Sequence, residues 1–186
     1  MSLVLGTNCG FVTEAPTGDP DGSSPGTQDN MARALKVVAP AGATAITEMG
    51  WYCANATEAA DFHVGIYDHD AINDEPENLL ASSAETAKGT DAGWKTATVE
   101  YAITEGTTYW LAVQLDNTNT ATQIDRNTDE GLRRAWDDVS GGSLKDPWDG
   151  DGVGNDGGLA LYAVYTTGGG GSSVPVLIQQ MRRRRA

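Results

Sequence analysis

Hard oxygen donors gather most densely in the glycine-rich stretch from Asp149 to Gly157, where Asp149, Asp151, Asn155 and Asp156 stand among four glycines. Carboxylates and an amide carbonyl on a pliable loop are the ligands that Ca2+ takes. The spacing is not that of an EF-hand, because no Glu closes the loop at its twelfth position. Calcium bound there is expected to stabilise a loop and do no chemistry, and the alternative is an acidic turn that is simply solvated. Gly152, Gly154 and Gly157 also spell the dinucleotide fingerprint. That mechanism needs a strand before it and a helix after it, whereas Pro147-Trp148-Asp149-Gly150 precedes and a β pattern follows. A second acidic group, Asp68, Asp70, Asp74 and Glu75, is a weaker metal candidate.

Trp136 and Trp148 lie in loop-like surroundings beside Asp137, Asp138, Asp146 and Asp149. An aromatic face next to hydrogen-bond acceptors suits a sugar ring, and the competing reading is a buried aromatic that anchors a loop. Trp51 and Trp110 fall inside strand patterns and are expected in the core. His63 and His69, the two histidines, would stand about 20 Å apart on one face of a straight strand, too far to share a metal. No Ser or Cys sits in a Gly-x-Ser-x-Gly elbow, and 26 Asp and Glu allow so many carboxylate pairs that none is informative. The expectation is a chain that is not an enzyme and carries no cofactor, calcium in the Asp149 loop excepted. Cys9 and Cys53 permit one intramolecular disulfide, and two cysteines are equally what a reduced protein of this length contains.

The elements that must hold these residues read as strands. In Tyr109-Trp110-Leu111-Ala112-Val113-Gln114-Leu115 the odd positions are large and apolar, which predicts a half-buried strand. Phe62 to Tyr67 and Leu159 to Tyr165 follow the same rule. Further strands are expected over 31–39, 43–53, 79–82, 94–101, 121–125 and 174–179, with a helical turn conceivable within 78–87. Gly, Pro, Asn and Asp punctuate the gaps. About nine short strands suit two packed antiparallel sheets, so the expected fold is all-β, a two-sheet sandwich.

Composition sets further bounds. Against 26 acidic residues stand 12 basic ones, a net charge of −14, so a nucleic-acid partner is not expected. No run approaches the roughly 18 apolar residues of a membrane span, and residues 1–6 lack the basic start and apolar run of a signal peptide. Four of the positives, Arg182, Arg183, Arg184 and Arg185, are packed near the C-terminus. Residues 1–30 read as an N-terminal segment and extended loop, 31–166 as the sandwich, 167–173 as a Gly/Ser linker, and 174–186 as a C-terminal strand and basic tail. Val174, Val176 and Ile178 share one face of that last strand, and bare in water they would seek a sheet edge, the chain's own or a neighbour's. With the arginines they form the expected partner-docking arm; a solvated terminus is the bland alternative.

The segments Ile46-Thr47-Glu48-Met49-Gly50-Trp51-Tyr52, Phe62-His63-Val64-Gly65-Ile66-Tyr67-Asp68, Leu79-Leu80-Ala81-Ser82-Ser83, Gly93-Trp94-Lys95-Thr96 and Thr107-Thr108-Tyr109-Trp110-Leu111-Ala112-Val113 resemble a loosely defined group of jelly-roll domains found in tailed-phage structural proteins, environmental viral sequences and some secreted modular proteins. The likeness covers roughly residues 31 to 166 and implies architecture with no catalytic residues. The resulting expectation is a virion structural protein, a capsid decoration or cement component assembled in a host cytoplasm and placed on the virion surface. Its partners would be other virion proteins or copies of itself. The alternative is an extracellular carbohydrate-binding module or receptor-binding fibre domain using Trp136 and Trp148.

Overall fold

A segment that alternates large apolar residues with small or polar ones can bury only one face as a strand, and two such sheets bury each other. The computed structural model describes residues 3–21, 26–27, 31–55, 59–115, 122–127, 132–138, 142–155 and 157–168. Among these residues the chain forms strands and no helix: β1 (Gly10–Val12), β2 (Gly26–Thr27), β3 (Met31–Val38), β4 (Ala43–Asn55), β5 (Asp61–Asp70), β6 (Glu75–Ser82), β7 (Thr86–Ala87), β8 (Gly93–Ala102), β9 (Thr108–Leu115), β10 (Gln123–Ile124), β11 (Arg134–Asp138), β12 (Gly152–Gly154) and β13 (Leu161–Thr167). The expected all-β, two-sheet sandwich is the fold.

The first sheet is built on the long β4, which pairs with β8, β13 and β10; β1 lies beyond β13 and β2 beyond β10. The second runs β12-β11-β3-β9-β5-β6, with β7 also on β5. Only β1 and β13 pair in parallel, Gly10 opposite Tyr162 and Val12 opposite Val164; the other strand pairs are antiparallel. Between the sheets, Leu35, Val37, Phe62, Val64, Ile66, Leu111, Val113 and Leu115 meet Ile46, Met49, Trp51, Ile124, Leu159 and Leu161. In β4 the buried parity changes from Ile46 to Met49, Trp51 and Cys53, because register shifts mark a bulge beside Thr47.

Several expectations are corrected. β9 is buried on both faces, since Trp110, Ala112 and Gln114 are as covered as Leu111 and Val113. Their face of the second sheet carries Ala32, Ala34, Ala112 and Ala135, and Leu144 and Trp148 pack onto it as a second, smaller core. Residues 78–87 hold no helical turn; they finish β6 and form β7, because β5 pairs with both. The N-terminal segment is not separate from the sandwich: Leu3, Cys9, Phe11 and Val12 are buried and β1 belongs to the first sheet.

Of the two states left open for the cysteines, the structure has the reduced one. Cys9 and Cys53 are buried thiols with no bridge between them. Cys9 precedes β1 and Cys53 lies on β4, with β13 between the two strands. Two strand spacings of about 4.8 Å put them beyond the roughly 7 Å that a disulfide spans between Cα atoms.

Candidate functional site

The stretch 142–155, which holds Asp149, Asp151 and Asn155 of the calcium candidates and Trp148 of the sugar candidates, lies over the outer face of the second sheet. Small residues make that possible. A Cβ on Gly65 of β5 would stand 2.6 Å from Leu144 Cδ1, so only glycine there lets Leu144 sit on the sheet. Trp148 is 8% exposed and meets Tyr67 edge-to-face at 5.3 Å. Backbone and side-chain bonds then fasten the stretch: Trp148 N donates to Glu77 O (2.7 Å), Tyr67 Oη to Lys145 O (2.6 Å), and Leu79 N to Asp146 Oδ1 (3.1 Å). Lys145 Nζ bridges Asp137 Oδ2 at 3.1 Å and Asp149 Oδ2 at 3.2 Å. Burial pushes the Asp137 carboxyl up, against the pull of Lys145, while its bond to Asp137 raises Lys145.

This arrangement withdraws Trp148 from the sugar-binding reading, because a ring buried against Tyr67 has no face to offer a solvent-borne ligand. Trp136 is half-buried on β11, with the Arg134 guanidinium 4.9 Å over its ring and Gly152 of β12 against its edge. The calcium ligands do not converge among the described residues. Asp149 is committed to Lys145, Asn155 Oδ1 accepts from Arg133 Nη1 at 3.0 Å, and Asp151 and Asn155 flank opposite ends of β12, about 13 Å apart along an extended strand. No group of three His, Cys, Asp or Glu suited to a metal occurs among the described residues. Asp156, the docking residues Val174, Val176 and Ile178, and Arg182, Arg183, Arg184 and Arg185 lie outside them.

The second acidic cluster divides into separate tasks. Asp70 closes the turn between β5 and β6 by accepting from Ile72 N (2.7 Å) and Asn73 Nδ2 (2.6 Å), and the bond from Ile72 N lowers its carboxyl. Asp68 holds Asn78 through N (2.6 Å) and Nδ2 (2.9 Å). Asp74, in the same turn at φ 59, gathers three cations or potential cations. Lys36 Nζ meets its Oδ1, Arg133 Nε lies 2.6 Å from Oδ2, and His69 Nε2 stands 3.7 Å away. The other ring nitrogen of His69 is engaged too, since Nδ1 accepts from Trp110 Nε1 at 3.2 Å. Partial burial works to raise the Asp74 carboxyl, but Lys36, Arg133 and His69 outweigh it and hold the group below its ordinary value.

Beside this hub opens a pocket of about 600 Å³ that sequence reasoning missed. Its walls are apolar, from Leu5 and Phe11 of the N-terminal segment, Val37 and Val38 of β3, Pro40 and Leu132; Lys36, Arg133 and Asn155 form its polar side. Leu5 and Val38 are 49% and 58% exposed, two of only four large apolar residues so exposed among the described residues. Exposed apolar side chains gathered at a concavity mark a binding surface more than the same residues scattered singly. The signal in sequence was faint: Val38 ends its strand on the face opposite Val37, and Leu5 belongs to no periodic run.

The N-terminal loop covers part of the first sheet's outer face. Trp94 Nε1 donates to Gly18 O at 2.8 Å, and the Trp94 ring stands edge-on to Tyr52 and Tyr162, each at 5.3 Å. Tyr162 is fully buried, fits against Gly50, and donates to Glu48 Oε1 at 2.6 Å.

Comparison of the chain with protein-family models, with curated proteins and with solved structures found no match.

Proposed function

We propose that the chain is a structural protein of a virion surface, a decoration or cement component, whose sandwich faces solvent and whose residues 174–186 attach it to neighbours. The jelly-roll connectivity and the kinship with tailed-phage proteins belong to this reading, as does the absence of any reaction. One observation carries it. Among the described residues both sheets form without any residue beyond Thr167, and β13 is paired on both sides by β1 and β4, which supports reading the apolar residues Val174, Val176 and Ile178 and the four arginines as an addition to the sandwich. Exposed to water, the three aliphatic side chains would each forgo about 1.5–3 kcal/mol of burial, a cost that a partner surface removes. The remaining 8 basic and 26 acidic residues leave the body strongly negative, and a second such body attracts a cluster of arginines, less so at high salt.

The carbohydrate alternative would need an accessible aromatic platform, and it is weakened by the burial of Trp148 and by the Arg134 guanidinium over one face of Trp136.

Deletion of residues 174–186 tests the proposal. The shortened chain is expected to melt as a folded all-β protein by circular dichroism yet to be missing from particles purified from the source. Undiminished occupancy of the truncated chain, or a native protein found only as free monomer and never in particles, would overturn the reading.

A further inference from the structure

The pocket beside Asp74 and the point where the chain leaves the sandwich are neighbours. Gly168 N donates to Gly42 O at 3.1 Å, and Gly42 is two residues from Pro40, which forms one pocket wall. A hydrogen-bonded residue pair spans about 5.5 Å and two residues of chain at most about 7 Å. Pro40 is therefore within roughly 13 Å of Gly168. Residues 169–173, Gly-Gly-Gly-Ser-Ser, reach about 17 Å when extended, and as a flexible coil their root-mean-square span is about 12 Å. A tether whose natural span matches the gap gives its cargo close to the highest effective concentration available to it.

The chemistry of the cargo fits the pocket. Residues 169–181 carry no charge, and 174–178 are Val-Pro-Val-Leu-Ile. The pocket's two cations do not call for an anion, because Asp74 is paired with both Lys36 and Arg133. What remains unanswered there is apolar: the half-exposed Leu5 and Val38 above Phe11 and Leu132. Resting on the reading that residues 174–186 are the attachment arm, we propose that this pocket is the seat of the chain's own segment 174–178 before assembly. Held there, the segment is hidden from other copies in dilute solution, while the arginines, starting four residues beyond Ile178 and thus about 13 Å further along an extended chain, project outward toward an acidic partner. Capture by that partner draws the segment from its seat, so the pocket acts as a holster that sets when the arm becomes available.

The test uses the full chain with Val38→Cys and Val176→Cys, oxidised at low micromolar concentration. Val4→Cys with Val176→Cys is the control, since Val4 is 47% exposed but does not line the pocket. Cys9 and Cys53 are buried and do not compete. The Val38 pair is expected to close into a disulfide within one chain at least tenfold faster than the control pair. Leu5→Cys with Val176→Cys repeats the measurement should the Val38 variant melt abnormally. Equal rates for pocket and control pairs, or a product that is only the cross-linked dimer, would overturn the seat. Either failure, with deletion of 174–186 still abolishing attachment to particles, sinks the holster and leaves the arm standing. Undiminished attachment of the deleted chain sinks the arm whatever the cross-link shows.

Discussion

Asp74 shows how one carboxylate serves as a joint between elements distant in sequence. It takes Lys36 from β3, Arg133 from the residues before β11 and His69 from β5, and its depressed ionisation fixes the sign of a pH effect. A carboxyl whose folded value lies below its unfolded value contributes stability above the unfolded value, about 3.9 for Asp. That contribution disappears as pH falls through the lower folded value. Asp74→Asn is therefore expected to lower the melting temperature at neutral pH and to match the parent in strong acid, where both carry an uncharged group. Asp74 is 39% exposed, so solvent screening limits the loss to about 1 kcal/mol. A melting difference that stays constant from pH 7 to pH 2 would remove the ion hub from the account of stability. At this scale the sequence was only partly legible. The run Asp68, Asp70, Asp74 and Glu75 stood out as acidic, but no spacing rule connects residue 74 to residues 36 and 133.

Strands whose one face is forced into the inter-sheet core announce themselves, and the expected 109–115 and 62–67 are met by Thr108–Leu115 and Asp61–Asp70. β11 was invisible for a physical reason. Its Arg134 and Trp136 satisfy each other by a cation over a ring, while Asp137 answers Lys145, so Arg-Ala-Trp-Asp-Asp shows no aliphatic alternation. The second core was missed because alanine and glycine carry no signal in a hydrophobic pattern, although Ala32, Ala34, Gly65, Ala112 and Ala135 on one sheet face are what a close-lying cover requires. Trp148→Ala tests that cover. Removing a ring of this size from a buried site costs about 3 kcal/mol. The loss is expected to fall on 142–155: exchange of the backbone amide at position 148, bonded to Glu77 O in the parent, should quicken while Leu111 and Val113 stay protected. Uniform loss of protection across both sheets would show that cover and sandwich melt as one unit.

At the scale of the whole molecule, the proposed arm and the pocket differ in legibility. The apolar residues behind the glycine tether stand out in the sequence, whereas the pocket exists only once β3, the N-terminal segment and the residues before β11 are brought side by side. The parallel pairing of β1 with β13 has a different reach. Gly10 must wait for Tyr162, so the first sheet cannot close until the residues of β13 have left the ribosome. At about 5–20 residues per second, β1 spends on the order of ten seconds without its neighbour, and the flank of β4 from Ala43 to Trp51 that β13 covers stays open for nearly as long. Chains halted after residue 160 should then accumulate as insoluble aggregates or chaperone-bound species, whereas chains halted after residue 173 should be soluble, as fractionation of the two products would reveal. Translation through β13 is thus the moment at which the exposed edges of β1 and β4 find the strand that joins them.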